Sequence, residues 1–338
     1  MSSLTAKIFT LSSAENLMYK EETLNFDNLD QNEIIAETFY SAISPGTESA
    51  AWSGLPPLRP GSIYPRFMGY CNVAKIVAIG DKVTGIEKGD FILTFQSHCS
   101  HFKCNTNDFF IKLPENNFTS FTPAYLYHLG YNALLSANAR AGHNVGIIGA
   151  GVLGYSSAIM SDICGGATFV FSNQMEAAKK LASKKINCSP KTAEAIDAIN
   201  ISTNNTGLDI VINTSNSWQD WLFALQAVNK GGTIVNLGFP GRGEDPPLFN
   251  PLDPQYVYTK HLTIKALCAV SETDIPAHEM RFTMKRNMEY IIGLIHSGKI
   301  DTTEIITDEI NYASLGEQYK KYAERKNYML STLIHWKN

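Results

Sequence analysis

The spacing of apolar and polar positions changes character twice along the chain and divides it into three stretches. Through residues 1 to about 115, short alternating runs are cut by turn residues. Asn72-Val73-Ala74-Lys75-Ile76-Val77-Ala78-Ile79 alternates and breaks at Gly80-Asp81, and Gly85 and Gly89-Asp90 precede Phe91-Ile92-Leu93. Alternation of period two with Gly and Asp breaks predicts strands and turns, so this stretch reads as an irregular β region. From about 121 to 267, short apolar runs alternate with helical patterns: strands at 145–148, 167–171, 208–213 and 233–237, and helices at 152–163, 175–185 and near 218–228. Strands alternating with helices imply a parallel sheet with right-handed crossovers. After the loop Pro246-Pro247-Leu248-Phe249-Asn250-Pro251, a strand at 262–267 completes that sheet. The tail from about 270 carries an amphipathic helix at 284–296, ended by Gly298, then short strands and a helix from Ser314. No internal repeat or low-complexity tract interrupts this order.

One turn in the middle stretch carries chemistry. Gly146-Ile147-Ile148-Gly149-Ala150-Gly151-Val152-Leu153-Gly154 places a G-x-G-x-x-G spacing between a predicted strand and a predicted helix. In that context Gly149 permits the tight turn, Gly151 lets the backbone approach a pyrophosphate, and Gly154 lets helix and strand pack closely. The bare spacing is weak in a chain with 24 glycines. The complete β-α-β unit around it makes the reading dinucleotide binding rather than a merely structural turn.

Composition narrows the classes without deciding between them. A chain of 338 residues holds roughly two domains, and 44% hydrophobic with 18% charged residues is ordinary for a globular protein. No apolar run reaches the ~18 residues of a membrane span. Net charge −4 without a Lys/Arg cluster argues against nucleic acid as partner and favours small molecules. Met1-Ser2-Ser3-Leu4-Thr5-Ala6-Lys7 has neither the charged start nor the apolar core of a signal peptide, which predicts a cytoplasmic protein.

The six cysteines, Cys71, Cys99, Cys104, Cys164, Cys188 and Cys268, never form C-x-x-C and fit no structural zinc spacing, so most of them read as buried thiols. His98, Cys99, His101 and Cys104 bring four metal-capable side chains close together in sequence. On a strand, however, His101 and Cys104 point to opposite faces, which argues against a shared metal.

The β-rich start, the central dinucleotide unit and the returning tail resemble the medium-chain dehydrogenase/reductase superfamily over nearly the whole chain. The motifs that carry the resemblance are Gly69-Tyr70-Cys71-Asn72-Val73-Ala74-Lys75-Ile76-Val77-Ala78-Ile79-Gly80 through Gly89-Asp90, Ile111-Lys112-Leu113-Pro114, the Gly149–Gly154 turn, and Gly231-Gly232-Thr233-Ile234-Val235-Asn236-Leu237-Gly238. Ser44-Pro45-Gly46-Thr47-Glu48 and Tyr64-Pro65 further resemble the branch with the bacteriochlorophyllide dehydrogenases. The resemblance implies a GroES-like catalytic domain at 1–120 completed by 270–338, and a Rossmann domain with a doubly wound parallel sheet at 121–269. It also implies a substrate cleft between them, and a homodimer formed edge to edge through the strand at 262–267.

Departures from the family pattern bear on the chemistry. Zinc-dependent members have a ligand Cys before Gly-Thr and a ligand His after Gly, where this chain has Pro45 and Tyr70. The third ligand falls near Tyr125, and the structural zinc lobe is missing. These substitutions predict a zinc-free protein. The charge that develops on hydride transfer then falls to hydrogen-bond donors. Tyr70 and Thr47 are the candidates, with core packing and turn capping as their bland alternatives. His128 is a candidate proton shuttle against a satisfied core histidine. Glu48, next to Thr47, is a candidate base, with a solvated or ion-paired carboxylate as the default reading.

The cofactor-binding candidates are Gly149, Gly151, Val152, Leu153, Gly154, Ser172, Asn173 and Gly238. The second strand ends Phe171-Ser172-Asn173 without the acid that binds a ribose 2′-hydroxyl, which favours NADP while leaving NAD open. Lys179 and Lys180 follow on the helix as surface charge. The function expected is zinc-independent hydride transfer to or from a polarised C=C or C=O bond of a small molecule. The alternatives are a metal-free alcohol dehydrogenase and a catalytically silent NAD(P)-binding sensor or scaffold.

Overall fold

The computed structural model describes residues 3–58, 61–114, 117–267, 270–272, 275–324 and 328–337. Cys268 therefore lies outside the described residues. The chain divides into two units, the first Met1–Tyr125 with Val270–Asn338 and the second Leu126–Ala269.

The first unit is built on strands from both ends of the chain. β1 (Ser3–Ser13), β2 (Asn16–Asn25), β3 (Glu33–Ala42) and helix α1 (Pro45–Trp52) are followed by β4 (Arg66–Phe67), β5 (Cys71–Ile79), β6 (Phe91–Thr94), β7 (His101–Asn105) and β8 (Phe110–Lys112). α2 (Phe118–Phe121) then leads to α3 (Ala124–Ser136), which begins in the first unit and continues into the second. The β5 and β6 strands match the alternation read at 72–79 and 91–93. α1 was not evident in the alternation. It opens with Pro45 at its first turn, where a missing N–H costs nothing and the fixed φ suits a helix.

The second unit is an alternating α/β layer structure. β9 (Asn144–Ile148), α4 (Val152–Ile163), β10 (Ala167–Phe171), α5 (Met175–Ser183), β11 (Asn187–Ser189), α6 (Ala193–Ser202), β12 (Leu208–Asn213), α7 (Trp218–Ala227), β13 (Val228–Asn236) and β14 (Thr263–Ala266) follow in order. They form one six-stranded parallel sheet, β11-β10-β9-β12-β13-β14. The order runs outward in both directions from β9, so the β9–α4 turn lies at the switch point where such sheets take ligands. Ile148, Phe171, Val211, Ala224 and Ile234 pack one core of this unit. Of the elements just named, two were not read from the sequence: β11, which is three residues long and polar, and α6. β13 also starts five residues earlier than read, through Gly231-Gly232.

The tail returns to the first unit as α8 (Met284–His296), β15 (Ile306–Asn311), α9 (Leu315–Glu324) and β16 (Ser331–His335). In α8, Met284, Met288, Ile291, Ile292 and Ile295 are buried at helical spacing. The Thr283 side chain caps the helix by accepting from Arg286 N, and Gly298 at φ 72° follows its end. Among the described residues β15-β16-β3-β5-β6-β8 form one sheet, with β7 also paired to β3. Residues more than 200 apart in sequence thus share a sheet. The fold is a GroES-like mixed β unit with a Rossmann unit.

Candidate functional site

The β9–α4 turn is shaped by three glycines with different physical demands. Gly149 has φ 91°, a conformation that L side chains rarely adopt. A Cβ on Gly154 would stand 2.0 Å from the Gly149 carbonyl oxygen, so α4 leaves the strand at a distance only glycine allows. At Gly151 a Cβ would meet nothing within 4 Å. Packing does not explain that glycine; room beside the backbone does. Gly151 is also the N-cap of α4 without a side-chain hydrogen bond, so the amides of Val152, Leu153 and Gly154 stand at an uncapped N-terminus. Those donors and the helix dipole suit an anion. The turn therefore fits the pyrophosphate of a dinucleotide.

The neighbouring strand ends add polar groups. Ser172, at the end of β10, is 8% exposed, and its Oγ accepts from Gln174 N at 3.1 Å. Asn173 is exposed and its Oδ1 accepts from Lys191 N at 3.1 Å. Lys191 pairs through Nζ with Asp220 in the first turn of α7. On α5, Lys179 is surface charge as read, paired with the exposed Glu176. Lys191 was missed because it lies 18 residues beyond Asn173 in sequence. At Gly238 a Cβ would be 2.4 Å from the Ser215 carbonyl oxygen, so close passage of the chain past the end of β12 explains this glycine.

The first unit gathers a second group of side chains. Tyr70 stands just before β5, with its phenol hydrogen-bonded to Ser44 and Thr47 at the start of α1. Its ring meets Tyr125 edge-on, with centroids 5.5 Å apart, and Tyr125 in turn meets Phe95 at 4.7 Å. Thr47 and Tyr70 are thus together. His128 belongs to the second unit, on α3, and is 1% exposed. Burial pushes its imidazole down to about 4, so it is neutral near pH 7. Burial pushes the Tyr70 phenol far above its ordinary range, and the neighbouring Cys71 and Glu48 act in the same direction.

Pro45, Tyr70 and Tyr125 do not make a zinc donor set. Proline has no donor atom, and the Tyr70 phenol is held protonated. The Cys71 thiol beside it is fully buried, and burial and then Glu48 disfavour the thiolate that a metal would need. Among the described residues no three His, Cys, Asp or Glu side chains gather in a metal-binding group. In the 98–104 segment, His101 Nε2 pairs with Glu37 at 3.2 Å, while Cys104 turns to the other face and into the core. His98 lies 3.0 Å from Glu48. Glu48 is hydrogen-bonded to His98, to Ser44 N and to the Tyr319 hydroxyl, and it is buried rather than at the surface.

Comparisons with known proteins agree with this architecture. No family profile matches the chain. It is 21% identical over 235 residues to sorbitol dehydrogenase of Bacillus subtilis strain 168, a match covering 68% of this chain and 60% of that protein. The match thus spans less than two thirds of that relative's length. Among solved structures, 2R,3R-butanediol dehydrogenase from Bacillus subtilis superposes with a TM-score of 0.80 at 14% identity, covering 98% of this chain and 100% of the other. A dehydrogenase from Sinorhizobium meliloti 1021, described as zinc-binding and bound to NADP, superposes at 0.76 with 15% identity, covering 98% and 99%. The chain has the two-part fold of the medium-chain dehydrogenase/reductases.

Proposed function

We propose that this protein is an NAD(P)(H)-dependent oxidoreductase that moves hydride to or from a polarised C=O or C=C bond of a small molecule without a catalytic zinc. The β9–α4 turn carries the reading. A Gly149 at positive φ, an unhindered Gly151 and an uncapped helix N-terminus coincide there at the switch point of a parallel sheet. The backbone amides of Val152, Leu153 and Gly154 would hold the pyrophosphate, and Ser172 and Asn173 the adenosine ribose with its 2′-phosphate. When bound, the nicotinamide supplies or accepts the hydride.

The remaining chemistry belongs to Thr47 and Tyr70. A phenol pushed up in this way does not ionise, so Tyr70 acts as a neutral donor to the substrate oxygen as charge develops on it. The proton that completes an alcohol passes through the hydroxyls hydrogen-bonded to the phenol, those of Ser44 and Thr47. His128, neutral near pH 7, serves as a hydrogen-bonding group rather than a titrating base. That both Tyr70 and His128 are held neutral also supports a second reading, an NAD(P)-binding sensor without turnover.

The acid-free end of β10 favours NADP over NAD. The edge strand β14 offers the pairing edge for a homodimer. Calorimetry with NADPH, elemental analysis for zinc, and turnover of an enone against its saturated alcohol test these points in turn. Binding of neither NADPH nor NADH would refute the whole reading, and one zinc per chain lost together with activity on chelation would refute the metal-free part. Tight NADPH binding with no turnover of either substrate class would favour the sensor.

A further inference from the structure

Glu48 and His98 take no part in the chemistry above, yet they are 2% and 0% exposed. A carboxylate so far from water is stable only if its oxygens are occupied by donors. Three donors converge on it: Ser44 N–H to Oε1 at 2.7 Å, and the Tyr319 hydroxyl and His98 Nε2, the latter at 3.0 Å, to Oε2. On its other side the His98 ring meets Ser41 Oγ through Nδ1 at 2.9 Å, and Ser41 Oγ accepts from Trp336 Nε1, also at 2.9 Å. An indole N–H only donates, so Ser41 Oγ accepts from Trp336 and keeps its proton and a second lone pair for Nδ1. On the other side the ring presents Nε2–H to the Glu48 carboxylate, which can only accept.

Both ends of this network grip the segments that bear the site. Glu48 anchors Ser44, and with it the first turn of α1 that carries Thr47. His98 N donates to Met68 O at 2.6 Å, and its ring lies so close to Gly69 that a Cβ there would stand 2.5 Å away. Gly69, at φ 85°, is the residue before Tyr70. One buried pair therefore touches both sides of the Tyr70 hydrogen bonds. We propose that Glu48 and His98 are a positioning pair that holds the Tyr70 phenol against Ser44 and Thr47, an inference resting on Tyr70 as the donor of the reaction. The fixed carboxylate behind the phenol also opposes its ionisation and keeps it a donor.

Carbon-13-labelled tyrosine tests this without a known substrate. The Tyr70 ring signal is identified by its loss in Tyr70→Phe. Glu48→Gln and His98→Gln are expected to shift it, and to leave the signal of Tyr256, in the second unit, in place. Nitrogen-15 spectra should show a proton on His98 Nε2, facing the carboxylate. A pair that only braces the fold would lower the melting temperature and leave the Tyr70 signal unmoved, a result that overturns the proposal. Should Glu48→Gln not fold, Tyr319→Phe removes one of the carboxylate's donors, and an unmoved Tyr70 signal there overturns it equally. In turnover, Glu48→Gln should lose about 10- to 10²-fold in kcat with the KM for NADPH unchanged, and add nothing to Tyr70→Phe. Losses that add would sink the positioning pair alone. Wild-type turnover in Tyr70→Phe would sink the donor role alone.

Discussion

Gly154→Ala is the sharpest test of how the β9–α4 turn works. The added methyl would stand 2.0 Å from the Gly149 carbonyl oxygen and 2.8 Å from its carbonyl carbon. Ordinary contact begins near 3.4 Å, so helix and strand must separate by 1.4 Å, the difference of 3.4 and 2.0 Å. The obstacle is backbone, which cannot swing aside as a side chain would. Overpacking of this kind costs about 1–3 kcal/mol, while Ala in place of Gly within a helix returns about 1 kcal/mol. A net loss of up to about 2 kcal/mol lowers the Tm by roughly 4–8 °C. The same displacement moves the helix N-terminus away from the turn, so NADPH affinity should fall by about tenfold or more, equivalent to about 1.4 kcal/mol.

Gly151→Ala is the matched control, because its Cβ meets nothing within 4 Å. Reduced freedom of the unfolded chain stabilises such a variant by about 0.4–1 kcal/mol, and the poorer N-cap costs a comparable amount. The Tm should stay where it is while a methyl, and more so a bulky residue, blocks the anion. Calorimetry with NADPH and thermal melts on the two variants separate these effects. Unchanged Tm and affinity in Gly154→Ala, or full affinity in a bulky Gly151 variant, would refute the reasoning.

Three further outcomes are expected. Tyr70→Phe should lower kcat by about 10²-fold, the usual weight of one hydrogen bond to a developing oxyanion, and wild-type kcat would remove the phenol from the reaction. Asn173→Asp restores the acid that repels a 2′-phosphate, and should turn the ratio of kcat/KM for NADPH over NADH toward NADH. His128 has its folded pKa lowered to about 4, so the unfolded state binds more protons between pH 4 and 6.5. Stability from this group is present above pH 6.5 and is lost as pH falls toward 4, and His128→Gln should flatten that part of the Tm profile measured against wild type.

What could be read from sequence was local. The Gly149–Gly154 turn needs only nine consecutive residues to show its strand, its tight turn and its helix start, because each glycine answers to backbone geometry within one β-α unit. Helix α8 was legible for the same reason: its apolar period, Thr283 cap and Gly298 stop lie within a few turns. β11 and α6 were not, since three polar residues and a short helix with few buried positions carry little periodic signal. The tertiary structure alone decided what the long-range contacts do. The burial of Glu48 was not legible because two of its three donors are 50 and 271 residues away, on His98 and Tyr319. Lys191 reaches the end of β10 only because parallel pairing sets β11 beside it. Burial, which fixes Tyr70 and His128 as neutral groups, is likewise a property of what packs around a residue. Backbone chemistry is written residue by residue; the environment of a side chain is written by the whole fold.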